Sequence, residues 1–225
     1  MKILPFIFAV ITIIMPVVSQ RTGLSDKYGF RFKMLSALLY LATGILSAVC
    51  IGRITTYSLM ILTALILGLA GDFFLEYKSK RFFPLGVVFF ALGHIAYIFT
   101  FLYIGENKAV YYVLPLLFTA TVMYLPLLFI TRRLKFRKFK NLILLYSAVL
   151  VFFYACALVM GTIPIRNGNL SFGLCLIFGA TLFFSSDIMI GLGKGGFERP
   201  AFLRNAVSYT YFAAQALFAL SVYFQ

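Results

Sequence analysis

The segment "LGLAGDFFLE" (Leu67–Glu76) closes an apolar run that starts near Tyr57, and it places a carboxylate, Asp72, where lipid is expected. The run has the length of ~20 residues that a helix needs to cross a ~30 Å hydrocarbon core. Runs of similar length recur along the chain and predict helices at about 3–19, 34–51, 57–75, 82–104, 109–130, 141–160, 170–192 and 205–224. They lack the period-two alternation of barrel strands, so the backbone must satisfy itself helically. The expected fold is all-α: a polytopic membrane bundle of about eight transmembrane helices, with residues 1–225 as one transmembrane domain. The longest polar stretch, Gln20–Lys33, reads as a loop.

Composition agrees. Of 225 residues, 63% are hydrophobic and only 12% charged, and the mean hydropathy is +1.01, too apolar for a soluble domain to bury. The net charge of +14 would suggest nucleic acid in a soluble protein. Here the basic residues fall between apolar runs, so no nucleic-acid partner is expected and the positive-inside rule accounts for them. The first, third, fifth and seventh loops hold four, three, six and three basic residues. The second, fourth and sixth hold one each: Arg53, Lys108 and Arg166. That asymmetry puts the odd loops in the cytoplasm and both termini outside, in a plasma membrane of bacterial inner-membrane type. The basic stretch "TRRLKFRKFK" (Thr131–Lys140) reads as a clamp on anionic headgroups, with a partner-binding role as the other option. Met1–Ser19 resembles a signal peptide, but the charges that follow it resist translocation and favour a retained first helix. Tyr57, Tyr77, Tyr103, Tyr111, Tyr112 and Tyr223 lie near span ends and are expected to form the interfacial belt. Cys50, Cys156 and Cys175 fall in different runs and read as core residues.

A further regularity joins the third and seventh predicted spans, which run in the same direction. Asp72 precedes Pro84 by twelve residues and Asp187 precedes Pro200 by thirteen, each across a basic loop with one glutamate. The chain therefore reads as a 4+4 parallel repeat. With so few matched positions, coincidence is an equal reading.

Three strongly ionisable residues fall inside the spans: Asp72, His94 and Asp187. An intramembrane aspartate costs about 2.5–3.5 kcal/mol on insertion scales and therefore faces a bundle interior or a wet cavity. Asp72 and Asp187 lie at similar depth, roughly 5 and 7 Å inside the same end at 1.5 Å per residue, so they can share a cavity. His94 lies deeper, with Tyr97 on its face. The last span adds Asn205, Tyr209, Tyr211 and Gln215 in two i, i+4 pairs. Each has a structural alternative: His94, Tyr211 and Gln215 as helix–helix glue, and the aspartates as partners of serines such as Ser185 or Ser186. Gly68, Gly71, Gly86, Gly93 and Gly173 read as close-approach positions.

Several chemistries fit poorly. Catalytic zinc usually takes several histidines, and an Asp72–Asp187–His94 set supplies one. No GxSxG elbow is present, and "GLGKGG" (Gly191–Gly196) lacks the Walker spacing and the Lys-Ser/Thr ending.

Four motifs in order, "GDFFL", "GHIAYIF", "SSDIMIG" and "YFAAQ", resemble the YhhN-like lysoplasmalogenase family over nearly the whole chain. The resemblance implies an integral membrane hydrolase that cleaves the vinyl-ether bond of lysoplasmalogen, releasing a fatty aldehyde and a glycerophospho-base. It implies Asp72 and Asp187 as the catalytic pair. His94, Tyr97, Tyr211 and Gln215 would line the same pocket, and Asn205 joins them as a substrate-binding candidate from its helical face. The chemistry suits two carboxyls: one neutral, to protonate the β-carbon, and one ionised, to stabilise the oxocarbenium ion and activate water. Which aspartate takes which part does not follow from sequence, with a lean towards Asp72 as acid. The implied partners are a lysophospholipid substrate and membrane lipids. No organic cofactor and no metal are implied, and the oligomeric state is unknown. The alternative from another class is a proton- or cation-coupled transporter using the same aspartates.

Overall fold

A computed structural model describes residues 2–22, 24–77, 81–105, 109–133, 139–198 and 200–225. Among them are α1 (Leu4–Arg21), α2 (Leu24–Cys50), α3 (Thr56–Glu76), α4 (Phe83–Ile104), α5 (Ala109–Arg133), α6 (Lys140–Met160), the short α7 (Thr162–Arg166), α8 (Leu170–Lys194) and α9 (Ala201–Phe224). Among the described residues there is no strand, and eight of the helices are long and apolar enough to cross a membrane. Residues 134–138 of the basic stretch, with Lys78, Lys80, Lys108 and Arg199 of the other charged loops, lie outside the described residues.

Local chemistry sets the ends. Thr55 caps α3 by accepting from Ser58 N at 3.0 Å, while Ser58 Oγ accepts from Thr55 N at 2.8 Å, so two orphan donors are satisfied reciprocally. Asn169 caps α8 by accepting from Phe172 N and donates through Nδ2 to Phe224 O, which ties the start of α8 to the end of α9. Gly168 precedes this cap at φ +86°, a conformation that suits glycine.

The stretch 20–33 is not the expected loop. Gln20 and Arg21 end α1, and α2 starts at Leu24, interrupted by non-helical geometry at Tyr28 (φ −124°, ψ 15°). Polar composition hid this helix because its start lies at the membrane edge, where charged side chains need not be excluded. The last helix likewise starts at Ala201, just after Pro200, rather than at 205. Tyr57 leaves the expected interfacial belt: it is buried, and its OH is 2.6 Å from Ser221 Oγ on α9. Tyr77, Tyr103 and Tyr111 are exposed.

Packing follows small residues. The tightest pairs are α3 with α4 and α8 with α9. A Cβ on Gly71 would lie 2.7 Å from the Phe90 ring, and one on Gly179 would lie 2.9 Å from Phe218. Around these pairs α2 leans on α3 and α9, and α6 leans on α4 and α8. The two halves thus reach across to each other in the same pattern. α1 covers α2 and α9, whereas α5 packs chiefly on α6 and turns most of its surface outward, as Leu114 and Phe118 show.

At Gly86 an added Cβ would fall 2.6 Å from Leu75 Cδ2 and 3.0 Å from its backbone nitrogen, which cannot move independently of α3. Gly86→Ala is therefore expected to cost about 1–3 kcal/mol, the usual range for overpacking. Gly191→Ala, with nothing within 4 Å of the new methyl, should be close to neutral. Thermal unfolding of both variants in detergent checks the contrast.

Candidate active site

Asp72 lies about one turn before the end of α3 and Asp187 about two turns before the end of α8, and side chains from the N-terminal portions of α4, α6 and α9 surround them. Both aspartates line one cavity of about 460 Å³, mouth included, together with Lys33, Glu76, Ser208 and Tyr211. Lys33 and Glu76 form an ion pair at its edge, with side chains 41% and 30% exposed, so this side of the cavity meets the aqueous boundary.

Asp72 is held by hydroxyls. Tyr211 OH donates to its Oδ2 at 2.7 Å. Tyr40 OH shares its proton between Asp72 Oδ2 at 3.4 Å and Leu65 O at 3.3 Å. Behind Tyr211, Gln215 Nε2 donates to the tyrosine oxygen at 3.0 Å, and Tyr97 OH donates to Gln215 Oε1 at 2.7 Å. This chain has a direction. With Gln215 Oε1 accepting from Tyr97 and Nε2 donating to the Tyr211 oxygen, Tyr211 has its single proton left to donate to Asp72. Gly68 makes room: a Cβ there would come within 2.6 Å of Gln215 Nε2 and 3.5 Å of the Tyr211 and Tyr40 oxygens.

Asp187 has a different shell. Tyr146 OH donates to its Oδ2, and His94 Nε2 lies 3.6 Å from the same oxygen, within ion-pair distance but without a hydrogen bond. Neither nitrogen of His94 makes a side-chain hydrogen bond, its backbone neighbour is the Phe90 carbonyl one turn back, and its ring packs against Tyr146, Phe153 and Phe183. His94, read as deeper than the aspartates, reaches Asp187 because its side chain spans the difference of about one helical turn. The serines do not partner the acids: Ser185 Oγ donates to Thr181 O and Ser186 Oγ to Val207 O.

Asp187 also borders a second, apolar cavity of about 920 Å³, mouth included, lined by residues such as Val87, Leu127, Ile143, Leu150 and Ile188. Leu75, Phe90, Asp187 and Ile190 line both cavities and form the seam between them.

Of the residues singled out in the sequence, Asp72, Asp187 and Tyr211 line the polar cavity, whereas His94, Tyr97 and Gln215 stand one layer behind it. Asn205 is not brought to the site. It is exposed near the start of α9 and lines neither cavity, because at 3.6 residues per turn it lies about a third of a turn around the helix from Tyr211, which faces the site. Tyr40, Tyr146 and Lys33 were missed. A signal existed for the tyrosines: each ends an identical "LLY" triplet, at Leu38–Tyr40 and at Leu144–Tyr146, in matching helices of the two halves. Among the described residues no cluster of three His, Cys, Asp or Glu side chains could hold a metal ion.

The Tyr211–Asp72 bond lends itself to a thermodynamic cycle. Tyr211→Phe leaves a buried carboxyl short of a donor and is expected to cost about 1–3 kcal/mol. In the Asp72→Asn background the same change should cost measurably less, giving a coupling of about 0.5–3 kcal/mol in unfolding experiments.

The family model of the YhhN family matches residues 1–222. A "Lysoplasmalogenase homolog" from Dictyostelium discoideum is 53% identical over 47 residues, which are 21% of this chain and only 15% of that relative's length. No solved structure matches the chain.

Proposed function

The chain belongs to the YhhN family, and from that premise we propose that it is a membrane hydrolase of lysoplasmalogenase type, cleaving the vinyl ether of a lysophospholipid into an aldehyde and a glycerophospho-base. The observation that carries the reading is the pairing of two buried carboxyls in one polar cavity with an adjoining apolar cavity. Vinyl ethers hydrolyse when an acid protonates the β-carbon and water captures the resulting oxocarbenium ion. A neutral carboxyl serves the first step and an ionised one the second. The apolar cavity suits a single hydrocarbon chain. The Lys33–Glu76 pair suits a zwitterionic headgroup, which offers a partner to each charge.

The carrier alternative needs a path through the bundle. Both cavities are lined by residues from the same ends of their helices, which favours a reaction at one face. By the charge asymmetry that face is the cytoplasmic one, with both termini on the opposite side. An Arg132→Cys variant in a cysteine-free background should resist impermeant maleimide added to intact cells and react once the membrane is opened. Labelling from outside would reverse the orientation.

The two carboxyls are expected to work as a unit. Asp72→Asn and Asp187→Asn should each abolish nearly all aldehyde release from lysoplasmalogen while leaving folded, monodisperse protein. The double variant should be little worse than either single, because residues that cooperate in one step are strongly non-additive. Most of the wild-type rate surviving in either single variant, measured by mass spectrometry of the aldehyde, would sink the two-carboxyl mechanism.

A further inference from the structure

We propose that the two carboxyls have fixed and different roles: Asp187 is the acid that protonates the chain-side carbon of the vinyl ether, and Asp72 is the carboxylate that activates water on the headgroup side. The assignment rests on the hydrolase reading above and adds the orientation of the substrate, which lies across the seam between the cavities.

Position gives the first argument. Asp187 borders both cavities, whereas Asp72 borders only the polar one. A lysolipid with its chain in the apolar cavity and its headgroup towards Lys33 and Glu76 passes the seam at the junction of chain and glycerol, where the vinyl ether lies. In that bond the β-carbon is on the chain side, and the α-carbon and ether oxygen are on the headgroup side. Asp187 therefore faces the carbon that must gain a proton. Asp72 faces the carbon that water must attack, in the cavity that water can reach.

Hydrogen bonding gives the second. Asp72 Oδ2 accepts from two hydroxyls, Tyr211 at 2.7 Å and Tyr40 at 3.4 Å, and Tyr211 is backed in turn by Gln215 and Tyr97. That is the setting of a carboxylate. Asp187 receives one hydroxyl, from Tyr146, and faces a histidine nitrogen with no hydrogen-bond partner, which in either tautomer tolerates a protonated neighbour.

The cycle balances. The π electrons of the vinyl ether take the proton from Asp187, forming the new C–H bond and the oxocarbenium ion. Water adds to the α-carbon as its proton passes to Asp72, giving a hemiacetal. The hemiacetal hydroxyl then returns a proton to Asp187 as the carbonyl forms. The C–O bond to glycerol breaks, and the departing oxygen takes the proton from Asp72. Both side chains end as they began, and one water is consumed.

Azide separates the roles, because as a small anionic nucleophile it can replace a missing carboxylate but cannot replace an acid. With full-length protein in detergent micelles containing lysoplasmalogen, sodium azide should raise vinyl-ether consumption by Asp72→Asn about tenfold, with an azido ether as product, and leave Asp187→Asn unchanged. Rescue of Asp187→Asn alone, or the same response in both variants, would overturn the assignment while leaving an active wild type as a hydrolase. A wild type that releases no aldehyde would instead bring down the hydrolase reading, and the assignment with it. A second arm keeps both aspartates. Ile143→Trp narrows the apolar cavity and should raise KM about tenfold more for a long-chain than for a short-chain vinyl ether. Equal effects on the two substrates would overturn the orientation.

Discussion

A carboxyl at membrane depth must find its donors inside the protein, and most of the polar structure of this bundle answers that requirement for Asp72 and Asp187. Water is scarce there and lipid offers nothing, so the shells are made of tyrosine hydroxyls, whose rings remain at home among apolar neighbours. The demand spreads outward from Asp72. Tyr211 satisfies the acid, Gln215 satisfies Tyr211, Tyr97 satisfies Gln215, and Gly68 gives up its side chain so that the amide fits. Four residues on three helices thus depend on one charge.

The wiring also explains why the two halves of the chain pack as they do. Asp72 on α3 takes Tyr40 from its own half and Tyr211 from the other, while Asp187 on α8 takes Tyr146 from its own half and faces His94 from the other. Asp72 draws its donors from both halves, and Asp187 takes its hydrogen bond from its own half while His94 of the other encloses it. The contacts of α2 with α9 and of α6 with α4 are the scaffold of this exchange. Completing the site and docking the halves are accordingly one event, which couples correct assembly to a functional pair of carboxyls.

Much of this was legible before any coordinates. The span lengths, the intramembrane acids at matched depth and the i, i+4 pair Tyr211–Gln215 follow from period and composition, which act locally. The misses have a common cause. Asn205 and Tyr209 looked like part of the site because they share a helical face, but that face is not the one Tyr211 and Gln215 turn to Asp72, and Asn205 is exposed. Tyr57 looked interfacial from its position at a span end, yet a hydroxyl partner on α9, Ser221, lets it stay in the core. Tyr40 and Tyr146 lie in apolar runs with nothing local to distinguish them, since what selects them is a partner 32 or 41 residues away. Only comparison of one half with the other, through the shared "LLY", would have drawn them out.

That comparison also shows where the two halves stop being alike. Pro84 and Pro200 mark equivalent helix starts, and the residues that reach across from α4 and α9 to the opposite acid are His94, ten positions after its proline, and Tyr211, eleven after its own. A different kind of side chain thus reaches each acid from the opposite half, an imidazole for Asp187 and a phenol for Asp72. The Tyr211 phenol, whose oxygen accepts from Gln215, turns its proton to Asp72. The imidazole nitrogen that faces Asp187 has no hydrogen-bond partner and can pair with the acid as donor or as acceptor. Two carboxyls in identical surroundings would compete for one proton without a fixed holder. On the assignment proposed above, the unlike neighbours of the two acids, a phenol for Asp72 and an imidazole for Asp187, are what give the proton a fixed holder.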